Sequence, residues 1–291
     1  MSTAQTVTWE RLIADLPADL PASPDPAGGA GRTDDAAGQT LADHRQHRVS
    51  WYAALVGPLV LPDTALARTA RTAPAEQPVE VLVRNSGGAG GLVALGRRQP
   101  EGLRVVGVES PLRDLDDLPG SASRLVVAAE ELSGTEVFVG LPPAPGWIRA
   151  VELVEAAGLL GSLTPARLPA TDPASNAQLA EQLSVLVEAD LPFRLTWPAS
   201  PPGTGATGAV AAATVALLMA LEALVDGATP AEAADLLGLR DPARARAGLA
   251  QWDQARATRV RRRLRGVAAP VAEVVAGLES WGLLTAPAGT A

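Results

Sequence analysis

Short apolar runs alternate with longer segments in which apolar positions recur three and four residues apart. The runs occupy 55–61, 79–85, 103–110, 136–141, 159–163 and 192–197. Val79-Glu80-Val81-Leu82-Val83 and Val105-Val106-Gly107-Val108 are apolar at almost every position rather than at every second one. Strands covered on both faces have this pattern, and strands separated by segments of helical length read as βαβ units of a parallel sheet.

The intervening segments carry helix-start chemistry. Ser175 stands three residues before Gln178, the spacing of a capping box, and Leu179, Leu183, Leu186 and Val187 follow on one face. Thr229-Pro230-Ala231-Glu232 places a cap, a proline in the first turn and a carboxylate at its third position, and Asp241-Pro242 opens another helix the same way. A helical pattern also begins at Asp34 and runs through Leu41, His44 and His47 towards Trp51 and Leu55. Ahead of it, residues 17–31 mix Pro, Gly, Ala and Asp without periodicity and read as a flexible linker, preceded by a short helix over 7–16. The expected organisation is a largely flexible extension over 1–33 and one barrel-like α/β domain over 34–286.

The last third is less regular. Two further strands are expected near 249–254 and 264–268, before a final helix over 270–281. With them eight strands would close a (β/α)8 barrel of the TIM type, whereas six alone would form an open doubly wound sheet. The 291 residues suit a single barrel of about 250 residues plus an extension, so the barrel is the predicted fold, with any distortion expected in its last third.

Composition removes several chemistries. With 47% hydrophobic and 19% charged residues, the chain has ample apolar surface to bury. It contains no cysteine, which excludes disulfides, thiolate nucleophiles and iron–sulfur ligation. All 24 basic residues are arginine, so there is no Schiff-base or P-loop lysine. A net charge of −8 argues against nucleic acid and anionic membranes as partners. Residues 1–10 lack the basic start and apolar run of a signal peptide, and the uncharged stretch 203–221 is rich in Gly, Ala and Thr with Glu222 directly after it. That stretch is expected to be a buried helix rather than a membrane span, and the protein soluble and cytoplasmic.

Asp34-Asp35-Ala36, then His44-Arg45-Gln46-His47-Arg48-Val49-Ser50-Trp51-Tyr52, then Val56-Gly57-Pro58-Leu59-Val60 resemble the opening of an uncharacterised bacterial family of barrel-like proteins. Members read D-D-A-G-L-F-P-P, H-R-x-x-R-A-x-W-Y and G-x-F-V-x-P there. The segments 105–109 and 142–147 resemble the family's third strand and the loop after its fourth, so that the similarity spans residue 34 to about 284. The resemblance implies a barrel and assigns no activity. Where the family reads A-K-L-R-T-G-G, this chain has Gly161-Ser162-Leu163-Thr164-Pro165-Ala166-Arg167; where it reads F-K-A-T-x-G-x-H-H, the chain has 193–201, beginning Phe193-Arg194-Leu195-Thr196-Trp197. A helix start reading H-G-F-L-N is replaced by Thr207-Gly208-Ala209-Val210-Ala211. Both lysines and all three histidines of those motifs are absent, which implies a diverged member without the chemistry they would supply.

Barrel sites lie at the carboxyl ends of the strands. Those ends offer Asn85, Glu109, Arg167, Arg194 and Thr196, the set expected to bind a small anionic metabolite without metal or cofactor. Arg194 and Thr196 share one strand face, opposite Phe193 and Leu195. An inward guanidinium needs a carboxylate, and Glu109 is its expected partner, as a structural brace or as the floor of an anion site.

Other features have plainer readings. Gly87, Gly88, Gly90 and Gly91 resemble a dinucleotide fingerprint, but Val93 stands where a third small residue is required, so a tight βα turn is expected. His44 and His47 fall short of a zinc ligand set and read as surface or capping histidines. The basic run Arg256, Arg259, Arg261, Arg262, Arg263 and Arg265 reads as a solvated face paired to acids. Three functions stay open: an anion-binding barrel with or without catalysis; a degenerate structural or partner-binding barrel whose mouth is plugged by Trp197 and Pro198; and a nucleotide-binding oxidoreductase built on an open sheet beside 87–91.

Overall fold

Eight parallel strands pair in chain order, and the last returns to the first, closing a barrel in the computed structural model. The structure describes residues 17–19, 33–97, 100–169, 172–198 and 208–287. The strands are β1 (Pro17–Asp19), β2 (Leu59–Pro62), β3 (Val79–Arg84), β4 (Leu103–Pro111), β5 (Glu136–Gly140), β6 (Leu160–Leu163), β7 (Phe193–Thr196) and β8 (Leu264–Ala269). Between them run α1 (Thr33–Val49), α2 (Asp63–Thr72), α3 (Gly88–Arg97), α4 (Leu118–Ala129), α5 (Trp147–Ala156) and α6 (Pro173–Glu188). After β7 come α7 (Ala209–Val225), α8 (Pro230–Leu237), α9 (Pro242–Leu249) and α10 (Gln254–Arg263), and α11 (Val271–Ser280) follows β8. The fold is a (β/α)8 barrel of the TIM type. The open-sheet alternative is excluded by closure, and with it the crevice that a nucleotide-binding oxidoreductase of that type requires.

Two strand expectations change. The strand that completes the barrel is Pro17–Asp19, inside the segment that reads as a flexible linker. It pairs with β8 through Pro17↔Val267, Ala18↔Ala268 and Asp19↔Ala269, and with β2 through Asp19↔Leu59. Its three residues are too few to show a period, and Pro17 masks it further; the first residue of a strand is nonetheless a place where proline fits. The rest of the linker reading, and the helix expected over 7–16, lie outside the described residues. The strand expected at 249–254 is instead the end of α9, a turn and the start of α10. Leu249 and Trp252 are buried within the helical layer, and Asp253 caps α10 by accepting from Arg256 N at 2.8 Å.

That layer also explains the apolar stretch ahead of Glu222. Helix α7 is buried on nearly every side because α6, α8, α9, α10 and α11 all pack against it. A helix covered all round has no polar face. No helix among the described residues is long and apolar enough to cross a membrane. The capping box at Thr229 and Glu232 forms as expected, and Asp241 caps α9. For α6 the cap is Asp172, three residues ahead of the expected Ser175; the Ser175 hydroxyl donates to the Asp172 carboxylate at 2.6 Å.

Alternation along the strands divides the core in two. Ala18, Val60, Leu82, Phe138 and Ala268 form a small cluster within the barrel, while Val81, Val83, Val137, Val139, Phe193 and Leu195 face the helices in the large outer core. At the amino ends of the strands, Arg104 pairs with Glu80 and Arg265 donates to Glu136 at 2.7 Å.

Candidate functional site

The two-residue period that sends Phe193 and Leu195 outward turns Arg194 and Thr196 towards the barrel axis. Arg194 is 1% exposed. Its Nη1 donates to Glu109 Oε2 at 2.8 Å, and Ser162 Oγ donates to Glu109 Oε1 at 2.9 Å. Both carboxylate oxygens are therefore engaged by neighbours on β7 and β6. The guanidinium also stands over the Phe138 ring, 5.6 Å from its centre, so the same residue that fills the interior offers its electron-rich face to the charge.

What remains of Arg194 is unsatisfied. Among the described residues neither Arg194 Nη2 nor Thr196 Oγ1 has a hydrogen-bond partner, although both atoms are buried. An unpaired buried polar group costs about 1–3 kcal/mol, more when charged. Burial pulls the Arg194 guanidinium below its ordinary range; Glu109 opposes that shift and Arg84 adds to it. Arg84 closes β3 two residues beyond inward-facing Leu82, is exposed, and lies in register with Glu109 of β4. It has no hydrogen-bond or ion-pair partner among the described residues.

The structure thus joins Glu109, Arg194 and Thr196 at the inner face of the barrel and adds Ser162 and Arg84. It separates Asn85 and Arg167 from them. Asn85 lies on the outward face of its strand, where its Nδ2 donates to Ser110 Oγ at 2.9 Å and Gly88 O at 2.7 Å, and its Oδ1 accepts from Gly87 N. It organises the βα turn itself. A Cβ on Gly91 would stand 2.0 Å from Asn85 Oδ1, so the glycine run serves this tight turn, as expected from Val93. Arg167 is exposed on the loop after β6, and its charge acts on Asp172, the cap of α6.

The mouth-plugging role expected for Trp197 is not what its geometry provides. Trp197 continues the outward face of β7, is 2% exposed, and donates from Nε1 to Thr214 Oγ1 of α7 at 3.1 Å. It fastens the barrel to a helix.

The histidines also depart from expectation. His44 is buried, and the Nδ1 atoms of His44 and His47 lie 2.9 and 3.0 Å from the same oxygen of Asp19. They are neither surface nor capping groups: they tie α1 to β1. No group of three or more metal-ligating side chains suited to an ion is found among the described residues. Five arginines of the basic run meet acids as expected, Arg265 among them through Glu136. Arg256 pairs with Glu222 at 3.3 Å, Arg259 with Asp226 at 3.4 Å, and Arg262 and Arg263 both meet Asp190.

A cavity of about 670 Å³ lies outside the barrel between α2 and α3, lined by Asp63, Leu66, Ala70, Asn85, Gly91 and Leu95 among others. It excludes Glu109, Arg194 and Thr196, and the Asp63 carboxylate within it is held by the Ser86 amide and hydroxyl. Asp63, Arg71, Asn85 and Glu101 give its walls polarity, but none of their polar atoms is both buried and without a partner among the described residues, whereas Arg194 Nη2 and Thr196 Oγ1 are, so the charged interior is the better candidate site.

Fold and site together define a (β/α)8 barrel with a buried arginine–glutamate pair at its inner face. No protein-family model matches the chain, and neither the curated proteins nor the solved structures contain a significant match.

Proposed function

We propose that the barrel binds a small anionic metabolite at its inner face, against Arg194 and Thr196. The observation that carries this reading is the pair of buried donors left unsatisfied among the described residues, Arg194 Nη2 and Thr196 Oγ1, side by side on one strand face. An occupant with acceptor oxygens relieves both costs at once. Exposed Arg84 above them favours a negative charge, and the strand ends of such barrels are where ligands collect.

A second reading is that the cluster is only a brace in a non-catalytic barrel, favoured by the consumption of both Glu109 oxygens. Thr196→Val separates the two, because it deletes the hydroxyl and leaves the Glu109–Arg194 pair intact. If the barrel binds an anion, small carboxylates and phosphates screened against the wild-type chain include at least one that raises its melting temperature, and T196V loses that rise while melting unliganded at or above the wild-type temperature. No rise with any anion, or the same rise in T196V, would leave the brace as the whole role.

A further inference from the structure

We infer that the ligand is a singly charged carboxylate rather than a dianion, and that Arg84 at the rim is its second cationic contact. This inference rests on the anion-binding reading and narrows it.

The charges that reach the inner face set the charge of the ligand. Arg194 and Glu109 cancel, and Glu136 at the opposite end is held by Arg265. Among the described residues Arg84 is the charge directed at this interior that has no ion-pair partner, and its field is felt at Arg194. The described residues therefore give the site a single positive charge. A monoanion brings it to neutrality. A dianion leaves a net negative charge against atoms that water does not reach, where an unbalanced charge is most costly.

The donors are matched in number as well. Arg194 Nη2 and the hydroxyl of Thr196 suit the two oxygens of a carboxylate; Arg194 Nη1 is committed to Glu109. A phosphate asks for more donors, usually from lysine or from a glycine-rich backbone cradle. The chain has no lysine, and its glycine-rich turn after β3 is occupied by the Asn85 side chain on the outward side of the sheet.

Titration calorimetry on the full chain at a pH near 8, where phosphate is dianionic, tests the inference with acetate, propionate, succinate and inorganic phosphate. The expected result is binding of the monocarboxylates at least about tenfold tighter than succinate or phosphate, with a loss of about tenfold or more for monocarboxylates in Arg84→Gln. Arg84 is an exposed rim residue with no partner among the described residues, so R84Q keeps the wild-type melting temperature. Glu109→Gln adds one positive charge to the site and shifts preference towards phosphate. Tighter binding of phosphate or succinate by the wild type, or unchanged carboxylate affinity in R84Q, overturns the inference and leaves the anion-binding reading standing. Absence of binding for every anion overturns both. Should E109Q fail to fold, wild-type selectivity and R84Q decide the question.

Discussion

Arg194 owes its place to one rule, that side chains on a strand point to alternate faces, and its tolerance to one partner. With Glu109 at 2.8 Å and Phe138 beneath it, the guanidinium is matched on two sides in an interior that otherwise offers Leu82 and Ala268. Removing one half of a buried pair strands the other, so Glu109→Ala is expected to lower unfolding free energy by about 3–5 kcal/mol in denaturant titration. Replacing both, as Glu109→Leu with Arg194→Met, is expected to recover most of that loss; a double-variant loss equal to the sum of the two single-variant losses would show that the charges are not coupled. At this scale the sequence is legible where the local rule suffices. Glu109 and Arg194 follow from strand-end position and the need of a buried charge for its opposite. Ser162 and Arg84 do not, because a serine mid-strand and an arginine at a strand end look like many others until register brings them beside Glu109. Arg167 and Asn85 have the same strand-end credentials and face elsewhere, since the direction of a side chain at a loop depends on the turn that follows.

Among the elements, β1 is the one that pattern reading misses. Three residues hold it in the barrel through hydrogen bonds such as Asp19 N to Pro58 O at 3.0 Å, and its side chain is fixed from outside by two imidazoles of α1. Asp19→Ala is expected to cost about 1–3 kcal/mol and to raise amide exchange in α1 more than in α4; uniform exchange across both helices would contradict a local clasp. The helix starts were easier to read, because caps are local, and they carry a pH dependence. Hydrogen bonding from Ser175 holds the Asp172 carboxyl below its usual range, and the Thr229 backbone and hydroxyl do the same for Glu232. A carboxyl depressed in the folded state contributes stability that is complete above its ordinary value near about 4 and lost as pH falls through the depressed one. The first turns of α6 and α8 are therefore expected to lose amide protection as pH drops from about 5 towards 2, ahead of the barrel strands; loss in step with the strands would contradict it.

For the molecule as a whole, strand count decided between a closed barrel and an open sheet, and that count is a property of the ends of the chain. The six central strands are legible from their apolar runs, but closure depends on β8, which follows four consecutive helices, and on β1, which lies in a proline-rich stretch. Only tertiary pairing distinguishes such segments from loops. Closure then does for function what local pattern cannot: it brings β3, β4, β6 and β7 round one axis, so that residues from 84 to 196 meet at one inner face. The most direct measurement is a high-resolution crystal structure of the chain grown in a saturating monocarboxylate. The expected result is a closed barrel with the carboxylate bonded to Arg194 Nη2 and Thr196 Oγ1 and facing Arg84. Density for the ligand only elsewhere, with those two atoms satisfied by the protein itself, would contradict it.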